Sequence, residues 1–287
     1  MISVQPNGLA IDNRKVSSFE SFQVAALQMV SCPDLQENLQ CAAELIEKAA
    51  QGGATLIALP EYFCFMGYND TDKYKYKEQA DYGPIQQFLS TQAQRHHVWL
   101  AGGTLPLSMA EDKDERVYNS LIVWDPDGRP CARYDKIHLF KFAKDKESYD
   151  ESISICAGTK AVSVEVAGAR MGLSICYDLR FPELYRALGP LDLIVVPAAF
   201  TYTTGQAHWE LLLRARAVEN QCYVLAAAQG GLHVNGRRTW GHSMLIDPWG
   251  KIEAVLETGP GVIAGTIDPL RLAQVRAQLP ALQHRVM

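Results

Sequence analysis

Three residues have the types and settings to do nucleophilic chemistry together: Glu61, Lys136 and Cys176. Each follows an ordered-looking segment. Glu61 comes after the apolar run Thr55-Leu-Ile-Ala-Leu59 and Pro60, and Cys176 closes Met171-Gly-Leu-Ser-Ile175. Lys136 lies in Arg133-Tyr-Asp-Lys-Ile-His-Leu-Phe140, just past a strand of a hairpin. A thiol attacks a carbonyl only as thiolate, and a free pKa of about 8.5 leaves a few per cent of it at neutral pH. A nearby carboxylate can take that proton and later hand it to a leaving amine. A cation beside the site stabilises both the thiolate and the oxyanion of a tetrahedral intermediate. Taken singly, a cysteine after an apolar strand is more often core filler, and the Glu and Lys are more often surface charges. Together they specify acyl transfer from a C–N bond.

Positioning such a set needs strands whose carboxyl ends converge, because sites of α/β sheets form at those exits. Residues 23–29 and 55–59 read as buried strands. Between them Asp34 caps a helix with apolar residues at Leu35, Leu39, Ala42, Ile46 and Ala49, stopped by Gly52-Gly53. Residues 84–96 read as a helix and 98–101 as a strand. Asp125-Pro-Asp-Gly128 turns a hairpin between strands at 118–124 and 131–134. A long polar loop fills roughly 140–160. The grammar then repeats: a strand over 169–176, a short helix over 182–188, a strand over 192–196 ending in Pro197, a helix over 206–219, a strand over 221–226, and a second hairpin turn at Asp247-Pro-Trp-Gly250. Leu-Ile-Ala-Leu-Pro60 echoes Leu-Ile-Val-Val-Pro197, and Trp99-Leu-Ala echoes Val224-Leu-Ala, in the same order as the two turns. This predicts an α/β protein of two similar halves, two sheets packed together with helices outside. Residues 1–20 lack periodicity and read as an N-terminal extension, with 21–287 as one domain.

Composition narrows the function classes. The 287 residues are 48% hydrophobic and 21% charged, with 27 basic against 32 acidic side chains and a net charge of −5. With no basic block, neither a nucleic-acid nor a polybasic membrane surface is expected, and no segment is long and apolar enough to span a bilayer. The seven cysteines form no Cys-x-x-Cys pair. An odd, scattered set fits a reducing, cytoplasmic setting rather than a disulfide framework or structural zinc. The absence of Gly-x-Ser-x-Gly and His-Glu-x-x-His disfavours serine and zinc hydrolysis.

The motifs Leu-Pro60-Glu61, Tyr134-Asp-Lys136-Ile-His-Leu-Phe140 and Cys176-Tyr-Asp-Leu-Arg180-Phe-Pro-Glu-Leu resemble those of the nitrilase superfamily of carbon–nitrogen hydrolases, over about residues 22–285. The resemblance implies a four-layer α-β-β-α sandwich and a Glu61-Lys136-Cys176 triad. It implies no metal or other cofactor, and a homodimer or higher homo-oligomer built through helices 182–188 and 206–219. It also implies an assisting glutamate at Glu151, in Tyr149-Asp-Glu151-Ser, and an oxyanion hole of Lys136 and the Tyr177 N–H. Further segments, Ala199–Glu210, Leu213–Gln229 and Gly241–Gly250, are similar to the Nit-type branch of the superfamily. That branch implies a small-molecule amide as partner: deaminated glutathione, split to 2-oxoglutarate and cysteinylglycine as metabolite repair. The sister ω-amidase activity on 2-oxoglutaramate, and hydrolysis of N-carbamoyl compounds, aliphatic amides or nitriles, are the alternatives. A redox sensor built on an exposed, low-pKa cysteine is a third class. The chain departs from the family at Lys141-Phe142, where an acidic residue is common, and in the 142–150 loop, which bears on substrate choice more than on chemistry.

For the substrate's carboxylate, Arg180 is a candidate bidentate clamp, with Phe181 beside it. Pairing of Arg180 with Asp178 or Glu183 is the structural alternative. Thr201, Thr203 and Thr204 offer hydroxyls for the same end, or caps for the 206–219 helix. His208 and His242 read as core or hydrogen-bonding residues.

Overall fold

The computed structural model describes residues 19–108, 116–144 and 147–286. The expected extension falls outside them except for its last two residues. Of these, Phe19 is buried edge-on against Phe22 with ring centroids 5.9 Å apart.

In chain order the elements are β1 (Phe22–Gln28), α1 (Leu35–Gln51), β2 (Leu56–Ala58), α2 (Pro84–His96), β3 (Trp99–Ala101), β4 (Leu105–Ser108), β5 (Val117–Trp124) and β6 (Pro130–Asp135). A small hairpin follows, β7 (Lys141–Lys144) and β8 (Glu147–Asp150). The second half runs β9 (Ser163–Val166), β10 (Ala169–Leu173), α3 (Pro182–Ala187), β11 (Leu193–Ala198), α4 (Tyr202–Asn220), β12 (Tyr223–Ala228), β13 (Ser243–Ile246), β14 (Ile252–Leu256), β15 (Gly261–Ile267) and α5 (Pro269–Gln278).

The sheets carry the repeat that the sequence echoes predict. The first has the order β15-β1-β2-β3-β5-β4, with β6 also paired to β5. The second has the order β9-β10-β11-β12-β13-β14. In each, three parallel strands (β1-β2-β3, β10-β11-β12) are flanked by an antiparallel strand on one side and lead to an antiparallel hairpin strand on the other. Parallel strands need helical crossovers, and both faces of such a sheet must be covered. The pleat does the covering. Ala25, Leu27, Ile57 and Leu59 face outward onto Leu39 and Ile46 of α1 and Leu89 of α2. Val24, Ala26, Leu56 and Ala58 join a second cluster that runs through β11 and β12 to Trp209 and Leu213 of α4. The layers are therefore helix, sheet, sheet, helix.

Local signals held where they were strong. Asp34 caps α1, its Oδ1 accepting from the Glu37 N–H at 3.0 Å, and Gly128 closes its turn by donating to the Asp125 carbonyl at 2.9 Å. Four expectations are corrected. The strand before Cys176 ends at Leu173, and Cys176 opens a 3₁₀ turn over Cys176–Arg180. Pro197 lies inside β11 instead of ending it. Helix α4 begins at Tyr202: Thr201 Oγ1 accepts from the Thr204 N–H, and Gly205, a helix breaker in isolation, sits where a Cβ would be 2.2 Å from Trp240. The supposed loop 140–160 holds β7 and β8, whose base is an aromatic cluster of Phe140, Phe142, Tyr149 and Tyr177.

Candidate active site

The two halves meet at their strand exits. Glu61, three residues past β2, is buried, and its carboxylate is filled from both halves. Oε1 accepts from Lys136 Nζ at 2.9 Å and Asn119 Nδ2 at 2.9 Å, while Oε2 accepts from the Ala199 N–H, just past β11, at 2.9 Å. Its main chain is fixed as well. Gln229, after β12, donates from Nε2 to the Glu61 carbonyl at 3.1 Å and to Ser31 Oγ at 2.7 Å. Gly103 permits the close approach here, since a Cβ on it would lie 2.3 Å from the Pro60 carbonyl oxygen.

Lys136 is fully buried. Its N–H donates to the Asn119 carbonyl at 3.0 Å, and its own carbonyl accepts from the Gly158 N–H at 2.8 Å. The ammonium bridges Glu61 and Glu151, 2.8 Å from Glu151 Oε2. Glu151 is held in turn: Tyr62 OH donates to Oε1 at 3.0 Å and the Phe140 N–H to Oε2 at 2.7 Å. A cation this buried survives only when paired. Burial pulls the Lys136 pKa down, but the charges of Glu151 and Glu61 outweigh it and hold it well above the ordinary lysine value.

Cys176 completes the set. Its thiol faces the Glu61 carboxylate closely enough for the two to interact. Burial and the charge of Glu61 push the thiol pKa well up, against the opposing pull of Lys136. Burial likewise raises the Glu61 carboxyl, with Lys136 pulling it down and Glu151 adding to the rise. The resting site is thus a neutral thiol beside a carboxylate that accepts every available donor. Proton transfer between them leaves the net charge of the buried group unchanged, which is the low-cost way to make a thiolate in a dry site. The backbone at Cys176 is left-handed, φ 48°, as it is at Tyr62, φ 55°. For residues other than glycine each costs on the order of 1–2 kcal/mol and must be imposed by the surroundings.

Asp178 imposes it at Cys176. Fully buried, it accepts four hydrogen bonds: Tyr134 OH (2.7 Å) and the Ile175 N–H (2.9 Å) on Oδ2, the His138 N–H (3.0 Å) and ring Nδ1 (2.7 Å) on Oδ1. It ties the turn at Cys176 to the segment carrying Lys136. An asparagine here must turn its NH₂ toward two donors. Asp178→Asn should cost about 2–3 kcal/mol of stability, read as a lowered urea midpoint; an unchanged midpoint would contradict this role.

A cleft with about 630 Å³ of empty space, counted out to open solvent, lies over the group. Glu61, Glu151, Cys176 and Thr201 line it, with Tyr62, Phe140, Tyr149, Thr239 and a charged wall of Asp70, Lys73, Arg237 and Arg238. Several expected substrate contacts are absent from the lining. Arg180 is not bonded to Asp178, whose oxygens are taken, but meets His208 Nδ1 at 3.2 Å and stacks over Tyr177 and Phe200. Phe181 stacks on His138, centroids 3.7 Å apart. Thr203 and Thr204 belong to the first turn of α4. Thr201 both lines the cleft and caps that helix. The sequence reading missed Asn119, Lys73, Arg237 and Arg238. Asn119 is an unremarkable polar residue inside a strand. Lys73 and the arginine pair sit in segments with no periodicity to place them.

This geometry stands beside that of known proteins. The chain is 47% identical over 270 residues to the deaminated glutathione amidase of Synechocystis, covering 92% of this chain and 98% of that one. It is 38% identical over 286 residues to the human deaminated glutathione amidase, covering 98% and 86%. The solved structure of Saccharomyces cerevisiae Nit3, a member of branch 10 of the nitrilase superfamily, superposes with a TM-score of 0.82 at 33% identity, over 93% of this chain and 97% of that one. The Caenorhabditis elegans NitFhit protein matches with a TM-score of 0.82 at 37% identity, over 93% of this chain and 66% of that one. The carbon-nitrogen hydrolase family model matches residues 23–277, and the chain belongs to that family.

Proposed function

We propose that the chain is a thiol amidase that hydrolyses deaminated glutathione to 2-oxoglutarate and cysteinylglycine. The observation that carries the chemistry is the Lys136 ammonium clamped between Glu61 and Glu151 beside the Cys176 thiol, under a cleft. The substrate rests on the relatives named deaminated glutathione amidase, and the cationic side chains of the cleft suit an anionic 2-oxo acid. The sensor alternative fares worse, because Cys176 is buried and its thiol pKa is raised.

Glu61 takes the thiol proton as Sγ attacks the amide carbonyl carbon. The carbonyl electron pair moves onto oxygen, which is stabilised by Lys136 Nζ and the Tyr177 N–H, among the first N–H groups of a turn that have no partner within it. The oxyanion collapses, the C–N bond breaks, and Glu61 delivers its proton to the departing amine. Water then attacks the thioester, giving its proton to Glu61. The C–S bond breaks and the thiolate takes that proton back. Glu151 keeps the Lys136 ammonium aimed throughout, with Tyr62 and the Phe140 N–H steadying it. The reading treats residues 21–287 as one hydrolase domain behind a 20-residue extension. It places the enzyme in the cytoplasm, in keeping with seven unpaired cysteines. It also makes the enzyme a homo-oligomer through α3 and α4, where Leu211 and Val218 stand exposed; a monomer by sedimentation would sink that part.

The test is 2-oxoglutarate release by purified protein from deaminated glutathione and from 2-oxoglutaramate. We expect kcat/KM to favour the former by tenfold or more, about 1.4 kcal/mol of transition-state binding. The reverse preference would make it an ω-amidase with the same chemistry. Release from neither would remove this substrate class.

A further inference from the structure

The cations of the cleft are not equivalent. Lys73 is half-buried on one wall, its Nζ 3.0 Å from Ser154 Oγ and 5.5 Å from the centre of the Tyr62 ring. Arg237 is already neutralised by its ion pair with Asp70. Arg238 differs from both. It is exposed at the rim, and among the described residues no carboxylate forms an ion pair with it.

Its guanidinium is nonetheless held in place. The guanidinium carbon lies 3.6 Å from the centre of the Tyr202 ring, and Tyr202 stands edge-on to Trp240, which stacks flat on His242 at 4.2 Å. The backbone is pinned as well. The Tyr202 N–H donates to the Arg238 carbonyl at 3.0 Å, and Thr201 bridges Thr239. A guanidinium seated over a ring in this way can still offer N–H groups at its edge, which binds a carboxylate in bidentate fashion. A cation already ordered by stacking loses less rotamer freedom when it binds.

The order of the reaction says which end of a substrate it meets. The acyl portion must stay through both half-reactions, so it belongs on the closed side of Cys176. The amine product must depart before water enters, so it belongs on the solvent side. Building on the amidase reading above, we propose that Arg238 binds the terminal carboxylate of the leaving dipeptide and thereby selects a peptide amide over a primary amide. Ammonia, the leaving group of 2-oxoglutaramate, has no such carboxylate.

The experiment measures kcat/KM of wild type and Arg238→Gln on deaminated glutathione, on its C-terminal carboxamide and on 2-oxoglutaramate. Each preference is taken as a ratio within one preparation, so a loss of folded protein cancels. Wild type should prefer the free acid to the carboxamide by about tenfold. The variant should lose most of that preference, and its kcat/KM should fall about tenfold more on deaminated glutathione than on 2-oxoglutaramate. Arg238→Lys, which keeps the charge, should recover part of it. A variant that retains the wild-type preference overturns the assignment of Arg238 and leaves the amidase reading intact. Wild type that hydrolyses none of the three overturns the amidase reading, and this inference with it.

Discussion

Replacing Cys176 by alanine is expected to lower turnover by about 10⁴-fold or more, the scale on which removal of a covalent nucleophile acts. The fold should survive. Alanine bears the same left-handed penalty at φ 48° as cysteine, so the strain is neither added nor relieved. Glu61 keeps its donors from Lys136, Asn119 and Ala199. The net change in stability should stay under about 1.5 kcal/mol. The variant should therefore unfold near the wild-type midpoint while releasing no measurable 2-oxoglutarate. Acid-quenched wild type incubated with substrate should carry an acyl adduct on Cys176 by mass spectrometry, absent from the variant. Activity within tenfold of wild type in Cys176→Ala would take the residue out of the reaction.

The second large effect is at Glu61. Glu61→Gln is isosteric, yet it fails twice. An amide cannot take the thiol proton, and general-base catalysis is worth about 10²–10⁴-fold. It also has one oxygen where the carboxylate has two, and three N–H donors converge on the site. Either the new NH₂ faces the Ala199 N–H or it faces Lys136 and Asn119. One buried donor at least goes unsatisfied, at about 1–3 kcal/mol. Lys136 is left with Glu151 alone. We expect kcat down by 10²–10⁴-fold together with a lower denaturation midpoint. The pH profile adds a readout that misfolding would not mimic. Burial raises the Glu61 carboxyl, so the acid limb of wild-type kcat/KM should lie above the ordinary carboxylate range, with activity lost as pH falls through it. In Glu61→Gln that limb should flatten. A variant with unchanged rate and profile would mean another group is the base.

Much of this site was legible in the sequence because its parts follow strongly patterned segments. Glu61 trails an apolar strand and a proline, and Cys176 trails another. Asp34, Gly52 and the two Asp-Pro-x-Gly turns announce where elements start and stop through side-chain capping and φ preferences that act over a few residues. The echo between the halves reappears as two sheets of matching strand order. Those are local properties, and a linear reading reaches them.

Tertiary structure alone decided the rest. Gly205 stands inside α4 because Trp240, far along the chain, packs where any side chain would be. The 140–160 segment forms a hairpin because Phe140 and Tyr149 find each other and Tyr177. Arg180, the natural candidate for a carboxylate clamp by its nearness to the nucleophile, turns onto Tyr177 and Phe200. The cations that do line the cleft, Lys73, Arg237 and Arg238, come from two irregular segments widely separated in sequence. No periodicity marks them, and only the folded backbone brings them to one wall. The sequence by itself determined which reactive side chains are available for the proposed chemistry, because a nucleophile, a base and an oxyanion cation must be of fixed residue types. The surface that meets the substrate was decided by packing, because any loop can supply a charge and only three-dimensional proximity says which one does.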